Sequence, residues 1–284
     1  MTTLLGAAEI RALAVSLDLR PAKSLGQNFV IDANVCRKIV RLAEVSADDV
    51  AVEIGPGLGS LTLALLDEAA EVIAIEIDSR LANQLPTTIT SHSSCAQKLT
   101  VINQDALRIT SLPKPPTVLV ANLPYNISVP VLLHFLETFP SIKSGIVMVQ
   151  AEVADRLVAK PGTKDYGIPS VKAAWWSDMS HGGTISRSVF WPAPNVDSKL
   201  AKFVRREPPA SEEIRKIAFA AIDAGFSQRR KMLRSALSTW LGGTKVAEEV
   251  LINAKIDPTL RGEALLIEGY CAIASTVQQM GIEF

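Results

Sequence analysis

The sequence lacks most of the features that announce common protein classes. Its three cysteines, Cys36, Cys95 and Cys271, lie far apart among 284 residues and form no CxxC pair. That argues against a disulfide framework and against a zinc ribbon. The three histidines, His92, His134 and His181, pair with no cysteine at metal-ligand spacing, so no metal is expected. No apolar run approaches the roughly 18–20 residues of a membrane helix; the densest, residues 129–136, contains Pro130 and His134. Glu9 and Arg11 stand where a signal peptide would keep its apolar core, which predicts a cytoplasmic protein with no membrane partner. Repeats and low-complexity tracts are missing. Net charge is missing as well: 29 Lys and Arg balance 29 Asp and Glu, which excludes an indiscriminate polyanion binder. What is left is 48 % hydrophobic and 20 % charged, an ordinary globular composition with length for one or two domains.

Residues 6–17 have helical spacing and precede a basic, glycine-containing loop, Lys23-Ser-Leu-Gly-Gln-Asn-Phe-Val30. Asp32 is a plausible N-cap for a helix whose apolar stripe is Val35, Ile39, Val40 and Ala43. Strand and helix patterns then alternate. Strands are predicted over 50–54, 72–77, 99–103, 118–121 and 145–150, with helices over 60–66, 79–85 and 129–138. Continuous apolar strands separated by helices predict an α/β protein, its parallel sheet covered on both faces. Residues 185–190 and 198–204 read as a strand pair at the end of that sheet. Arg206-Glu-Pro-Pro-Ala-Ser211 has linker chemistry, and beyond it only helical patterns remain, over 211–223, 227–240, 244–253 and 264–279. A domain boundary is therefore placed near residue 206.

Three features fall at the ends of successive strands. Glu53-Ile-Gly-Pro-Gly-Leu-Gly59 joins the first strand to a helix; glycines there allow close backbone approach to a ligand, and the helix N-terminus offers free amides. The spacing is GxGxG and not the GxGxxG of dinucleotide binders, so a pyrophosphate cradle is the weaker reading. Glu76 ends the second strand, 21 residues after Gly55, where a carboxylate typically accepts both hydroxyls of a ribose. Asp105 follows the third strand and could accept from an adenine amino group. Each feature alone is also what an ordinary strand–helix turn or solvent-facing strand end contains. Their succession along the crevice where open α/β sheets bind ligands points to a nucleoside-type cofactor.

The fourth strand ends in Asn122-Leu-Pro-Tyr125. An amide side chain, a carbonyl freed by the next proline, and an aromatic face suit a planar amine. The amino nitrogen of adenine is a poor nucleophile because its lone pair is delocalised into the ring. If the Asn122 side-chain oxygen and the Leu123 carbonyl accept its N–H bonds, the nitrogen can pyramidalise and its lone pair becomes available. Tyr125 can stack on the base, which is worth roughly 1–3 kcal/mol and fixes the amine for in-line attack on a methyl donor. A strand-to-helix turn with a buried tyrosine would explain the four residues alone; coming after the glycine loop, Glu76 and Asp105, they indicate chemistry.

Gln27-Asn-Phe-Val30, Glu53-Ile-Gly-Pro-Gly-Leu-Gly59, Asn122-Leu-Pro-Tyr-Asn-Ile-Ser128 and Phe226-Ser-Gln-Arg-Arg-Lys-Met-Leu-Arg234 together resemble the ribosomal RNA adenine dimethyltransferases, and within them the bacterial small-subunit branch. The likeness runs from about residue 20 to the C-terminus. It implies a class I methyltransferase (Rossmann-like) fold with a mostly parallel seven-stranded sheet and a small all-α C-terminal domain. The implied division is residues 1–206 for S-adenosylmethionine-dependent methyl transfer, including a helical and basic segment over 1–45, and 207–284 for RNA binding. The implied reaction is dimethylation of two adjacent adenines near the 3′ end of 16S rRNA, in an immature 30S subunit, by a monomer. Carried over position by position, the cofactor contacts fall on Asn28, Val30, Gly55, Gly57, Glu76, Asp105 and Asn122. Asn122, Leu123 and Tyr125 would orient the adenine, and Phe190 matches an aromatic position that could close its other face or belong to the core. Trp191 replaces the small residue or proline expected there, which alters the local shape of that wall.

Counting charge by segment shows how a neutral chain could hold RNA. Residues 42–110 carry ten acidic and three basic side chains, residues 11–41 a balance of +4, and residues 202–245 a balance of +6. Within the last, Arg229, Arg230, Lys231 and Arg234 crowd together with no acid between Asp223 and Glu248, and the family motif marks them for phosphate contact. Lys160-Pro-Gly-Thr-Lys-Asp-Tyr-Gly167 reads either as a mobile loop near the substrate or as an ordinary surface loop. Two alternatives remain at this point: dimethylation of a large-subunit adenine, and a ribosome assembly factor whose binding matters more than its catalysis.

Overall fold

The computed structural model describes residues 2–19 and 28–282; the basic loop over 23–27, with Gln27 of the first motif, lies outside the described residues. The strands are β1 (Phe29–Val30), β2 (Val50–Ile54), β3 (Glu71–Glu76), β4 (Leu99–Asn103), β5 (Val118–Asn122), β6 (Ser144–Gln150), β7 (Ser177–Ile185), β8 (Phe190–Trp191) and β9 (Ser198–Arg205). The α-helices are α1 (Ala7–Ser16), α2 (Ala33–Leu42), α3 (Ser60–Glu68), α4 (Ser79–His92), α5 (Ser128–Thr138), α6 (Ala151–Val158), α7 (Ile168–Ala173), α8 (Glu212–Ser227), α9 (Leu233–Ala236), α10 (Thr244–Asn253) and α11 (Ile267–Gln279).

Seven strands form one sheet in the order β4-β3-β2-β5-β6-β9-β7. The pairs from β4 to β6 are parallel, and β9 closes on β6 antiparallel, with Ser144 opposite Val204. Residues such as Val52, Ala74, Leu119 and Val120 are wholly buried, as expected of strands packed on both faces. The chain runs outward from β2 through β3 to β4 and then returns to β5. The order reverses between β2 and β5, and ligands bind at such a switch point. Asp32 caps α2, accepting from the amides of Asn34 and Val35.

Three predicted elements differ. Helix α4 continues past residue 85, through Pro86, to His92; Leu85, Thr88 and Ile89 are buried along it, and that burial outweighs the roughly 3 kcal/mol cost of an internal proline. The strand pair at the sheet end is β9 with β7, not with residues 185–190. Residues 187–189 form a 3-10 turn capped by Ser186, and Phe190–Trp191 pairs instead with Phe29–Val30. The segment that does form β7, Ser-Asp-Met-Ser-His-Gly-Gly-Thr-Ile, is mostly exposed and carries no apolar alternation to reveal it. The helix predicted over 227–240 is a turn followed by the four-residue α9. There the Leu233 and Arg234 amides bond to the carbonyls of Leu260 and Pro258, which diverts the backbone from a helical ladder.

The chain forms two compact units, residues 1–154 with 180–205, and residues 155–179 with 206–284. In the second, Trp175 and Trp176 meet the Phe219 ring edge-on at 5.9 and 5.5 Å. The Arg215 guanidinium lies over Trp176 and Phe219, and the Tyr166 hydroxyl donates to the Leu265 carbonyl at 2.7 Å. These aromatic contacts place residues 155–179 with α8 and α11. Among the described residues no helix is long and apolar enough to cross a membrane.

Candidate active site

The glycine loop leaves β2 with its first amide still in the sheet, Gly55 N–H donating to the Ile75 carbonyl at 2.9 Å. Gly55, Gly57 and Gly59 all have positive φ, at 70, 58 and 98°, a region where a side chain costs roughly 1–2 kcal/mol. At Gly57 there is a second reason. A Cβ there would stand 3.0 Å from the Phe29 ring, whose other neighbour is the Trp191 ring, stacked at 6.4 Å and 21°. The unusual Trp191 thus supports the ring that closes on the loop. Gly59 then caps α3.

Glu76 closes the loop from β3. One carboxylate oxygen accepts from Gly57 N–H at 3.2 Å and the other from Asp78 N–H at 2.9 Å. The side chain is 5 % exposed; burial pushes its pKa above the ordinary glutamate value, although the two amides pull it down. Beneath it, Glu53 is buried and accepts from the Thr62 hydroxyl at 2.6 Å. Burial, opposed by that hydrogen bond and aided by the Glu76 charge, raises the Glu53 pKa to about 8. Asp105, after β4, accepts from the Leu107 amide at 3.0 Å and caps the short turn that follows.

A stability effect follows from Glu53. Between its ordinary value of 4.5 and about 8, the folded protein holds a proton that the unfolded chain has released, so stability falls as pH rises through that window. At about 1.4 kcal/mol per pH unit, the loss accumulated across the window amounts to several kcal/mol. Glu53→Gln should flatten the fall between pH 5 and 8, measured as Tm against pH; a variant that keeps the wild-type slope refutes the assignment.

The acceptor motif closes the cleft at the end of β5. The Asn122 side-chain nitrogen donates to the Asn28 carbonyl at 3.0 Å. A carbonyl can only accept, so this bond fixes the amide's orientation and turns its oxygen away from Asn28. Leu123 N–H is spent on the Met148 carbonyl at 3.0 Å, and Pro124 after it has no N–H to give. The Tyr125 hydroxyl is 3.0 Å from the Ser198 hydroxyl, which ties its half-buried ring to β9; burial raises its pKa.

Asn28, Val30, Gly55, Gly57, Glu76, Asp105 and Asn122 all line one cleft at the switch point. Leu123, Tyr125 and Phe190 do not line it: Leu123 and Phe190 are buried, Phe190 with 3 % exposure in the apolar cluster that includes Val30. The cleft wall also contains Glu53, Ile77, Gln104 and Ile127, to which no role had been given. Ile77, inside the strand predicted over 72–77, stands just past the end of β3 with 56 % exposure. An apolar rim, a buried ribose-type acceptor and a glycine turn kept clear of Cβ atoms suit S-adenosylmethionine. Among the described residues no group of three or more His, Cys, Asp and Glu could hold a metal.

In the second unit, Arg229, Arg230 and Lys231 lie in the turn after α8 and are exposed. The Arg229 guanidinium bonds Glu263 at 2.7 Å and the Lys164 carbonyl at 2.6 Å. Arg234 pairs with Glu248 at 3.1 Å.

Comparison with known proteins agrees with this geometry. A family model described as Ribosomal RNA adenine dimethylase matches residues 19–279. The chain is 58 % identical over 274 residues to the Ribosomal RNA small subunit methyltransferase A of Streptomyces griseus, covering 95 % of this chain and 94 % of the relative. It is 54 % identical over 281 residues to the protein of that name from Corynebacterium glutamicum, covering 97 % and 96 %. Among solved structures, a dimethyladenosine transferase from Plasmodium falciparum is similar in fold, with TM-score 0.74 and 24 % identity over 90 % of this chain and 99 % of that one. The 23S rRNA methyltransferase ErmE follows at TM-score 0.65 and 26 % identity, over 89 % and 100 %. With its class I fold and its cleft at the ends of β2 to β5, the chain belongs to the ribosomal RNA adenine dimethylases, enzymes that take methyl groups from S-adenosylmethionine.

Proposed function

We propose that the protein dimethylates N6 of two adjacent adenines near the 3′ end of 16S rRNA, in an immature 30S subunit in the cytoplasm, acting as a monomer. The small-subunit choice is supported by relatives above 50 % identity that carry small-subunit names, against 26 % for the large-subunit enzyme ErmE. The observation that carries the site assignment is the Asn122 amide, held by Asn28 with its oxygen turned elsewhere.

Asn28, Val30, Gly55, Gly57, Glu76, Asp105 and Asn122 hold the cofactor, Glu76 through ribose hydroxyls and Asp105 through the adenine amine. S-adenosylmethionine supplies an electrophilic methyl on a sulfonium. The chain's own residues prepare the nucleophile. The Asn122 side-chain oxygen and the Leu123 carbonyl accept the two N–H bonds of the target amine and draw its lone pair out of conjugation. Tyr125, tethered to Ser198, presents a ring face for stacking. Phe190, buried and paired with Val30 across β1 and β8, supports this wall from behind. The amine loses its proton after transfer, so no general base is required. A second transfer needs room near Asn122 and Tyr125 for the monomethylated amine. The helical unit binds RNA through the basic turn after α8, with Arg230 and Lys231 as its exposed cations, unpaired among the described residues, and Arg229, paired with Glu263, and Arg234, paired with Glu248, beside them.

The test incubates the protein with radiolabelled methyl donor and 30S particles from a strain lacking the modification. Nucleoside analysis should show dimethyladenosine. Label confined to protein-free 23S rRNA would favour the large-subunit reading, and complementation by a catalytically dead variant would favour an assembly role.

A further inference from the structure

Arg229 is occupied. Its Nε donates to the Glu263 carboxylate at 2.7 Å and its Nη2 to the backbone carbonyls of Lys164 at 2.6 Å and Thr163 at 3.4 Å. The same stretch of chain is fixed at two further points. Gly162 N–H donates to the Glu263 carbonyl at 3.0 Å, and the Tyr166 hydroxyl donates to the Leu265 carbonyl at 2.7 Å. Inside the segment, the Thr163 hydroxyl donates to the Lys160 carbonyl at 2.7 Å. Residues 160–167 are therefore a built loop and not a free one.

The loop carries Lys160 and Lys164, both exposed. No ion pair is recorded for either among the described residues, nor for Arg230 or Lys231. The latch brings the loop beside the turn after α8, so two segments far apart in sequence contribute to one surface. Five cations (Lys160, Lys164, Arg229, Arg230 and Lys231) face two acids, Asp165 and Glu263. Glu263 is spent on Arg229, which neutralises the one cation whose fork is already satisfied. A guanidinium making three internal hydrogen bonds is a poor candidate for a phosphate, whereas flexible, unpaired lysines are good ones.

We propose that residues 160–167 form a second arm of the RNA-binding surface, with Lys160 and Lys164 contacting phosphates and Arg229 acting as the positioning residue that holds them there. This rests on the proposed rRNA substrate. Each phosphate contact contributes about 0.7–0.9 to the slope of log affinity against log salt. A Lys160→Ala/Lys164→Ala protein should thus lose about 1.4–1.8 from that slope.

The experiment measures binding to 30S particles lacking the modification, between 50 and 200 mM salt, with circular dichroism and thermal melting of each variant as the check that the helical unit is folded and S-adenosylmethionine affinity as the check on the cofactor unit. The double lysine variant should bind several-fold more weakly with a shallower slope, and to the same degree on protein-free 16S rRNA. Arg229→Ala and Arg229→Lys should both reproduce that loss, because lysine keeps the charge but cannot bridge Glu263 and two carbonyls. Glu263→Gln should weaken binding or leave it unchanged. An unchanged slope in the lysine variant overturns the proposal. So does full binding by Arg229→Lys, or tighter binding by Glu263→Gln, which would mean that Arg229 itself meets phosphate. Loss on particles alone, with the slope kept, would place the contact on ribosomal protein and also overturn it. If the wild-type protein forms no dimethyladenosine on these particles, the substrate reading fails instead.

Discussion

Replacing Asn122 with alanine should lower the methyl-transfer rate at saturating cofactor by about 10²–10³-fold, the usual loss when one pre-organised polar group at a reacting centre is removed. The fold should survive. Asn122 is the last residue of β5, paired in register with Met148, and its backbone bonds do not depend on the side chain. What disappears is the fixed acceptor. Asn122→Asp separates the two parts of its role: an aspartate still accepts, more strongly, but has no N–H for the Asn28 carbonyl 3.0 Å away. Orientation is the element the structure supplies, so the aspartate variant should be impaired on a similar scale. Wild-type turnover by Asn122→Asp would show that acceptance alone suffices, and wild-type turnover by Asn122→Ala would remove the residue from the mechanism. Single-turnover rates on 30S particles, with circular dichroism as the folding control, decide between these outcomes.

The sheet and the cleft at its switch point were legible in the sequence because both rest on local patterns. Continuous apolar runs mark buried parallel strands, and Gly55, Glu76, Asp105 and Asn122 each stand at the end of one or just past it. What was not legible depends on partners distant in sequence. β7 is polar and glycine-bearing, and is a strand only because β9 is beside it. Phe190 reads as the end of a sheet strand but, with Trp191, pairs with Phe29 and Val30, some 160 residues earlier. Glu53 stood inside a quoted motif without a role, since nothing local says that it is buried against Thr62. The turn over 228–232 replaces a predicted helix through bonds to Pro258 and Leu260. Arg229 reads as a phosphate-contacting cation in the sequence, where nothing local shows that its guanidinium bonds Glu263 and the Lys164 carbonyl.

Glu76→Ala should weaken S-adenosylmethionine binding by about 10²–10⁴-fold. The carboxylate spends one acceptor site of each oxygen on the loop, on Gly57 and Asp78, and a carboxylate has about four such sites, so one remains on each oxygen for a ribose hydroxyl. Hydrogen bonds to a charged group are worth about 1.5–3 kcal/mol each, and the truncation removes two of them while leaving the Gly57 and Asp78 amides unpaired. Glu76→Gln should fall between wild type and alanine, because its NH₂ must face one of those amides. The wild-type affinity should also decline on acidification. Protonation removes an acceptor, and the raised pKa of Glu76 starts that decline at a higher pH than an exposed glutamate would. Glu53, which titrates near 8 beside it, could imitate this, so the titration belongs in a Glu53→Gln background. There, calorimetry from pH 8 to 5 should show falling affinity with Glu76 present and a flat profile with Glu76→Gln. A flat profile in both would mean that the buried carboxylate holds only the glycine loop, and that the ribose is recognised elsewhere in the cleft.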